Sequence, residues 1–309
     1  MLSRVADSLY WFSRYLRRAE NCARLVGVNG HLELDLPRGL HFAWEPLVST
    51  LGVQAQFAEL YPDGGELAVA RFLLVDERNP SSMLSSLAQA RDVLRSIRET
   101  LPQEVWSKVN QMHLDLQEGA ERGIARRYRD ELLARVVDGC LAVSGILTAN
   151  VSRDLGYQFL RLGTALEQAD MTSRIIDAGA LGLIRSRLTD DAATIRNLQW
   201  MSVLRSLEAD QMFRRHARAR FAPAPALRFL LQSRDFPRSV AFCLVRIRQL
   251  LPSLPHYPPV ERAALRALAL ASDADAESLV ETGPTALMDE IQRALASLDD
   301  ELRTAYFRA

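Results

Sequence analysis

Lysine is almost missing from this 309-residue chain: Lys108 is the only one, and arginine carries nearly all of the positive charge. With alanine and leucine in excess, this reads as the bias of a GC-rich coding sequence rather than the mark of a dedicated site. Acidic and basic residues balance to a formal charge of +0. No global field therefore recruits nucleic acid or an anionic membrane, and neither is expected as a partner. Cysteine is equally sparse. Cys22, Cys140 and Cys243 stand far apart without C-x-x-C spacing, which argues against a disulfide framework or a zinc site and fits a reducing cytosol. No run of about eighteen apolar residues occurs, and the N-terminal MLSRVADSLYW has no basic segment leading into a long apolar one. Neither export nor membrane spanning is expected, and the expected compartment is the cytoplasm.

Motifs that carry chemistry are missing too. Neither G-x-x-x-x-G-K-[ST] nor G-x-G-x-x-G is present, so the chain shows no nucleotide cradle. There is no G-x-S-x-G nucleophile elbow. Glu-x-x-His, the helical spacing of di-iron bundles, is absent, and His31, His41, His113, His216 and His256 scatter over expected loops and helix ends. No metal and no cofactor is expected. Period-two runs of β-branched residues are lacking as well, which leaves an all-α fold, a helical bundle.

What the chain does have is one long amphipathic helix and a degraded copy of it. LYWFSRYLRRAENCAR (Leu9 to Arg24) returns as FLRLGTALEQADMTSR (Phe159 to Arg174), with Leu16, Ala19, Glu20 and Arg24 falling on Leu166, Ala169, Asp170 and Arg174. Ser3 is the expected N-cap of the first copy. Its apolar stripe is Val5, Leu9, Phe12, Leu16, Ala19, Ala23 and Val26, and the second copy repeats the spacing from Leu155 to Ile176. Such a stripe packs against other helices in bundle fashion. Two more blocks recur in the same order. WEPLVSTLGVQAQF from Trp44 aligns with WMSVLRSLEADQMF from Trp200, and FLLVDERNPSSM from Phe72 with FLLQSRDFPRSV from Phe229. The spacing predicts an internal duplication, with halves at about 1–148 and 149–309 of a single domain. Further helices are predicted near Trp44 to Leu51, at Gln103 to Leu116, Arg122 to Thr148, Val260 to Ala271 and Thr285 to Phe307, with the seam between halves around Gly145 and Asn150.

The repeated acid and arginine, Glu20 with Arg24 and Asp170 with Arg174, have two readings. As i,i+4 pairs on a solvated flank they add about 0.2–0.5 kcal/mol each. Glu20, however, sits roughly 70° from the centre of the stripe, where a carboxylate held by arginine can clamp two helices or line a cleft. Cys22 reads as a small packing residue. The basic run FRRHARARF, with Arg214, Arg215, Arg218 and Arg220, covers more than one helix face. It is either a solvated surface or a dock for an acidic partner or a phosphate. Tyr10, Trp11 and Tyr15 read as core edge or as a protein interface.

Four blocks, MLSRVADSLYWFSRYLRRAENCAR, NPSSMLSSLAQAR, LRLGTALEQADMTSRIID and RDFPRSVAFCL, together resemble the alpha-E family, bacterial all-helical proteins named for a Glu-Arg motif. The resemblance implies genes encoded beside, or fused to, circularly permuted ATP-grasp ligases, often with a transglutaminase-like peptidase nearby, in a peptide-forming or peptide-modifying system. It brings no catalytic residues. The chain also departs from the motif. Glu-Arg-Ala-Glu becomes Arg17, Arg18, Ala19, Glu20 in the first copy and Glu167, Gln168, Ala169, Asp170 in the second. Each half keeps what the other lacks, so Glu167 is expected to pair with Arg17 or Arg18 across a pseudo-twofold.

The candidate binding seam is thus Arg17, Arg18, Glu20, Asn21, Arg24, Glu167, Asp170 and Arg174. Three functions follow. The chain is a helical partner of an ATP-grasp ligase that contributes binding rather than chemistry, or an enzyme acting on a carboxylate- or phosphate-bearing substrate at a Glu/Asp/Arg cleft between the halves, or a structural repeat whose function lies on surface loops.

Overall fold

The computed structural model describes residues 2–36, 40–186, 192–217 and 221–307. Arg218 and Arg220 of the basic run, and Pro37 to Gly39 after the first helix, lie outside the described residues. In chain order the elements are α1 (Ser3–Asp35), β1 (Leu40–Phe42), α2 (Pro46–Ser49), α3 (Gln54–Leu60), α4 (Glu66–Leu74), α5 (Met83–Ile97), α6 (Gln103–Ile124) and α7 (Arg126–Asn150). They continue as α8 (Leu155–Ala180), β2 (Ile184–Ser186), α9 (Ala192–Ser206), α10 (Asp210–Ala217), α11 (Pro223–Gln232), α12 (Val240–Leu250), α13 (Pro258–Ser272), α14 (Ala276–Thr282) and α15 (Thr285–Tyr306). The class is all-α, with one short antiparallel ribbon among the described residues, in which Leu40 faces Ser186 and Phe42 faces Ile184. Strands of three residues are too short to leave a periodic signal.

Helices α1 and α8 lie along one another at the centre of the fold. The stripe on α1 is buried as its spacing predicts, from Leu9 and Phe12 through Leu16, Ala19 and Ala23 to Val26. The flank at Ser13 and the opposite face at Tyr10 and Arg14 are buried as well, covered by α8 and α15. Gly163 makes that approach possible, because a Cβ there would lie 2.3 Å from both Ser13 Oγ and the Tyr10 carbonyl. The Ser13 hydroxyl donates to the Tyr10 carbonyl at 2.8 Å. Ser3 is not the cap expected: the helix begins one residue earlier, Leu2 is its N-cap and no side chain bonds there. By contrast α8 is capped by Asp154, which accepts from the Tyr157 amide at 3.1 Å.

Around this centre α5 and α7 pack on α1 and are bridged by α6, while α12 and α15 pack on α8 and are bridged by α13, the same sequence of neighbours. Matching local contacts recur. Ser82 caps α5 by accepting from the Ser85 amide, and Ser239 caps α12 by accepting from that of Phe242, both at 3.1 Å. Cys22 Sγ donates to the Ser81 carbonyl, and Thr172 Oγ1 to that of Arg238. Each of these helices ends in a 3-10 turn, Arg98–Thr100 and Leu251–Ser253. Gly52 and Glu208 both have positive φ, 69° and 54°. Gly52 lies against Arg174 and Glu208 against Arg24.

Two expected boundaries move. The break between the third and fourth long helices falls at Ala125, whose extended ψ of 128° ends α6, so His113 is inside a helix and buried rather than at its end. The short α14 carries no strong periodicity and was not anticipated from the sequence. Among the described residues α7 alone is long and apolar enough to cross a membrane. In this structure it is a bundle helix, with Leu132, Leu133, Val136, Cys140, Val143 and Leu147 turned inward against α1 and α6.

Candidate functional site

The polar seam between α1 and α8 divides into two charge clusters. In the first, Glu167 is 1% exposed and accepts from Arg18 Nε at 2.6 Å, Arg18 Nη2 at 3.0 Å and Arg14 Nε at 2.8 Å. Arg14 reaches on to Asp299 of α15 at 2.7 Å, and the Tyr10 hydroxyl donates to the same carboxylate. Two guanidiniums thus meet two carboxylates. Burial alone would raise the Glu167 pKa, but Arg18 and Arg14 outweigh it and hold the carboxyl at about 2. Burial pushes Tyr10 well up, so it stays a neutral donor. Trp11 and Tyr15 line the edge of this cluster, half-buried, with the Arg14 guanidinium 4.8 Å from the Trp11 ring. They are core-edge residues that pack on the clamp.

The second cluster centres on Glu20, also 1% exposed. It accepts from Arg17 Nη1 at 2.6 Å, Arg24 Nε at 2.9 Å and Arg238 Nη2 at 2.8 Å. Burial opposes its ionisation, yet Arg17, Arg238 and Arg24 together keep its pKa below the ordinary carboxylate value. Arg238 arrives from the loop before α12 and also donates to Asn21 Oδ1 at 3.2 Å and Gln168 Oε1 at 3.3 Å. Arg24 extends to the exposed Glu208 at 2.8 Å. Asp170 and Arg174 form a separate, more open pair at 2.9 Å.

The sequence therefore brings Arg18 to Glu167, and Arg17, Asn21 and Arg24 to the neighbourhood of Glu20, while Asp170 and Arg174 keep to themselves. Arg17 does not reach Glu167, because Glu20, one turn away on its own helix, takes its guanidinium. Arg14, Arg238 and Asp299 were missed. Arg14 sits roughly 170° from the centre of the apolar stripe, a position that sequence assigns to solvent, and Arg238 and Asp299 are remote in the chain.

Two surface grooves among the described residues are lined without either carboxylate. One of about 730 Å3 lies between α13, α14 and α15, lined by Leu270, Leu279 and Leu287. A second, of about 540 Å3, runs beside Phe213, His216 and Phe229. Among the described residues no three His, Cys, Asp or Glu side chains gather as a metal would need. All three cysteines are buried and free, and burial pushes the thiols of Cys22 and Cys243 up to about 12, so none is a ready nucleophile.

Residues 1–307 match a family model described as a predicted alpha-helical domain with a conserved ER motif. The chain belongs to the Alpha-E family. It is 23% identical over 270 residues to an uncharacterized protein of Mycobacterium bovis and to one of Mycobacterium tuberculosis, covering 82% of this chain and 30% of each relative. The chain thus spans less than a third of the length of the curated relatives it matches. No solved structure matches it. In this Alpha-E chain a glutamate and an arginine meet between the two central helices, with α8 supplying Glu167 and α1 supplying Arg18.

Proposed function

We propose that this Alpha-E chain is a helical partner that contributes binding rather than chemistry to a peptide-ligase or peptide-modifying system. The partner proposed is a circularly permuted ATP-grasp protein, with a transglutaminase-like peptidase as a further member. The observation that carries this reading is the closure of the seam. Glu20 and Glu167 are each 1% exposed and accept from arginines through both oxygens. A carboxylate held ionised and covered in this way is a poor general base, whereas it fixes the geometry of two helices. The alternative, an enzyme acting on a carboxylate- or phosphate-bearing substrate between the halves, needs one of these groups presented to solvent. Support also comes from the relatives, in which the matched segment is 30% of the chain, as suits a module that works joined to other parts.

The two halves, about 1–148 and 149–309 of one domain, are proposed to be duplicates. Equivalent caps, equivalent Cys22 and Thr172 contacts, and paired positive-φ residues beside Arg24 and Arg174 support this. The functional test is co-purification with a circularly permuted ATP-grasp protein of the same organism, with ATP hydrolysis measured in the presence and absence of this chain. A stable complex or an altered rate is expected. No complex together with an unchanged rate rejects the reading.

A further inference from the structure

The aligned blocks around Phe57 and Phe213 build the same aromatic corner twice and fill it differently. In the first, Phe57 of α3 packs on Phe72 of α4 with ring centroids 5.2 Å apart. Tyr61, one turn after Phe57, stacks on it at 5.5 Å and lies edge-on to Phe72 at 5.9 Å. Its hydroxyl donates to Asp76, one turn after Phe72, at 2.7 Å and accepts from Arg78 at 3.1 Å. Ring and hydroxyl are both taken up by the chain itself.

In the second corner Phe213 of α10 packs on Phe229 of α11 at 5.7 Å. The residue one turn after Phe213 is Ala217, and the one that follows Phe229 as Asp76 follows Phe72 is Ser233. Ser233 keeps the local turn. Its hydroxyl oxygen accepts from the amides of Asp235 at 3.4 Å and Phe236 at 3.1 Å, as Asp76 accepts from that of Arg78 at 3.0 Å. Where the first corner holds the Tyr61 ring, the second holds the groove of about 540 Å3, and Phe213, Ala217, Phe229 and Ser233 all line it. A neighbouring groove of about 380 Å3 shares His216, Phe229, Ser233 and Asp235 and adds Phe236, which stacks on Phe229 at 4.9 Å. Volumes of this order hold ring-sized ligands.

The rim is basic. Of the described lining residues Arg215, Arg228 and Arg234 are cationic, against Asp235. Arg228 pairs with the exposed Glu277, while Arg215 and Arg234 hold no ion pair among the described residues. An aromatic ring entering here meets two phenyl rings, and carboxylates beside it meet guanidiniums, which suit both carboxylates and ring faces.

We infer that this groove is a docking site for an acidic segment of another protein chain. That segment inserts an aromatic side chain against Phe213 and Phe229 as Tyr61 lies against Phe57 and Phe72, and the Ser233 hydroxyl donates to the oxygen of an inserted tyrosine. The inference goes beyond the ATP-grasp reading and does not rest on it, since the slot recognises a side chain whatever chain carries it.

The test titrates the full chain, by calorimetry, with three capped peptides: a tyrosine flanked on each side by two glutamates, the same peptide with alanine for tyrosine, and the same with lysines for the glutamates. p-Cresol serves as the free ring. The tyrosine and glutamate peptide should bind saturably, about tenfold or more tighter than either other peptide. Ala217→Tyr fills the slot from within, so it should abolish this binding and melt no lower than the parent. Arg234→Glu, at an exposed position, should weaken binding by about tenfold or more at an unchanged melting temperature, and it decides the matter if Ala217→Tyr does not fold. Arg135→Gln, at an exposed arginine paired with Glu131 on α7, should leave binding unchanged. No saturable binding of the tyrosine and glutamate peptide, equal binding of the alanine or lysine peptide, or unchanged binding in folded Ala217→Tyr or in Arg234→Glu overturns the inference. Binding of p-cresol without the peptide overturns it as well, by making the groove a small-molecule site.

Discussion

Arg18 and Glu167, 149 positions apart, are joined by two hydrogen bonds of 2.6 and 3.0 Å at the centre of the fold. Reversing either charge alone should cost about 3–5 kcal/mol, the usual penalty for a buried charge left without its partner. Arg18→Glu combined with Glu167→Arg should recover part of that loss. Recovery is incomplete because Arg14, 2.8 Å from Glu167, then faces a cation. A double-mutant cycle in urea measures the coupling, and losses that simply add would contradict it.

Gly163→Ala should destabilise the chain by about 1–3 kcal/mol or more, since the new methyl meets the Tyr10 backbone, which cannot rotate away. Gly139→Ala is the informative comparison. Its nearest neighbour, at 2.0 Å, is Met112 Sδ, and a flexible thioether can move. Thermal melts should therefore show a larger drop for Gly163→Ala, and the reverse order would mean that α1 and α8 do not pack at this glycine.

Acid should unfold the protein in two stages. Burial, aided by Arg91, lowers the His113 pKa below 6.5, so the unfolded chain takes up this proton first and stability begins to fall below that pH. The Glu167 carboxyl, near 2 when folded against an ordinary 4.5, contributes fully above 4.5, and its contribution is lost as pH drops from there towards 2. Glu20 acts in the same direction. Urea unfolding at a series of pH values should show both declines. Glu167→Gln should flatten the lower one, and an unchanged profile in that variant would assign the acid sensitivity elsewhere.

Glu208 and Gly52 offer a paired test of backbone strain. Glu208→Gly relieves a left-handed φ of 54°, worth roughly 1 kcal/mol, and loses an ion pair whose carboxylate is 52% exposed. The net effect on stability should be close to zero. Gly52→Ala has no such compensation. Its φ of 69° disfavours a side chain and Arg174 Nη1 lies 3.3 Å from the new Cβ, so a loss of about 1 kcal/mol is expected. Chemical denaturation of the two variants decides the order.

The three cysteines should resist a thiol reagent such as DTNB in the native protein and react together on unfolding, because all are buried and burial raises the pKa of each. Fast labelling of Cys22 in native buffer would show that the loop over Ser81 opens.

The sequence revealed the long helices because their stripes are local, and it revealed Glu20 with Arg24 because one turn separates them. Pairing of Glu167 with an arginine of α1 was legible only through the comparison of two degraded copies. Arg14 was not, since a polar residue opposite an apolar stripe looks solvated. The α1 helix breaks that rule by being covered on both faces, and nothing in its own residues announces α15. Arg238 and Asp299 escaped for a related reason: each sits on a segment whose local pattern concerns its own helix, while its partners lie 218 and 285 positions away. The ribbon of β1 and β2 depends on pairing between distant segments, which composition does not encode.

The contact from Arg14 to Asp299 spans 285 positions. At roughly 5–20 residues per second a ribosome needs about 15–60 s to make that stretch. For all of that interval Arg14 lacks one of its two carboxylates and Tyr10 lacks its acceptor. The first helix of the chain is therefore among the last to be locked, and a nascent chain stalled before α15 exposes an incomplete charged surface that chaperones and proteases can read.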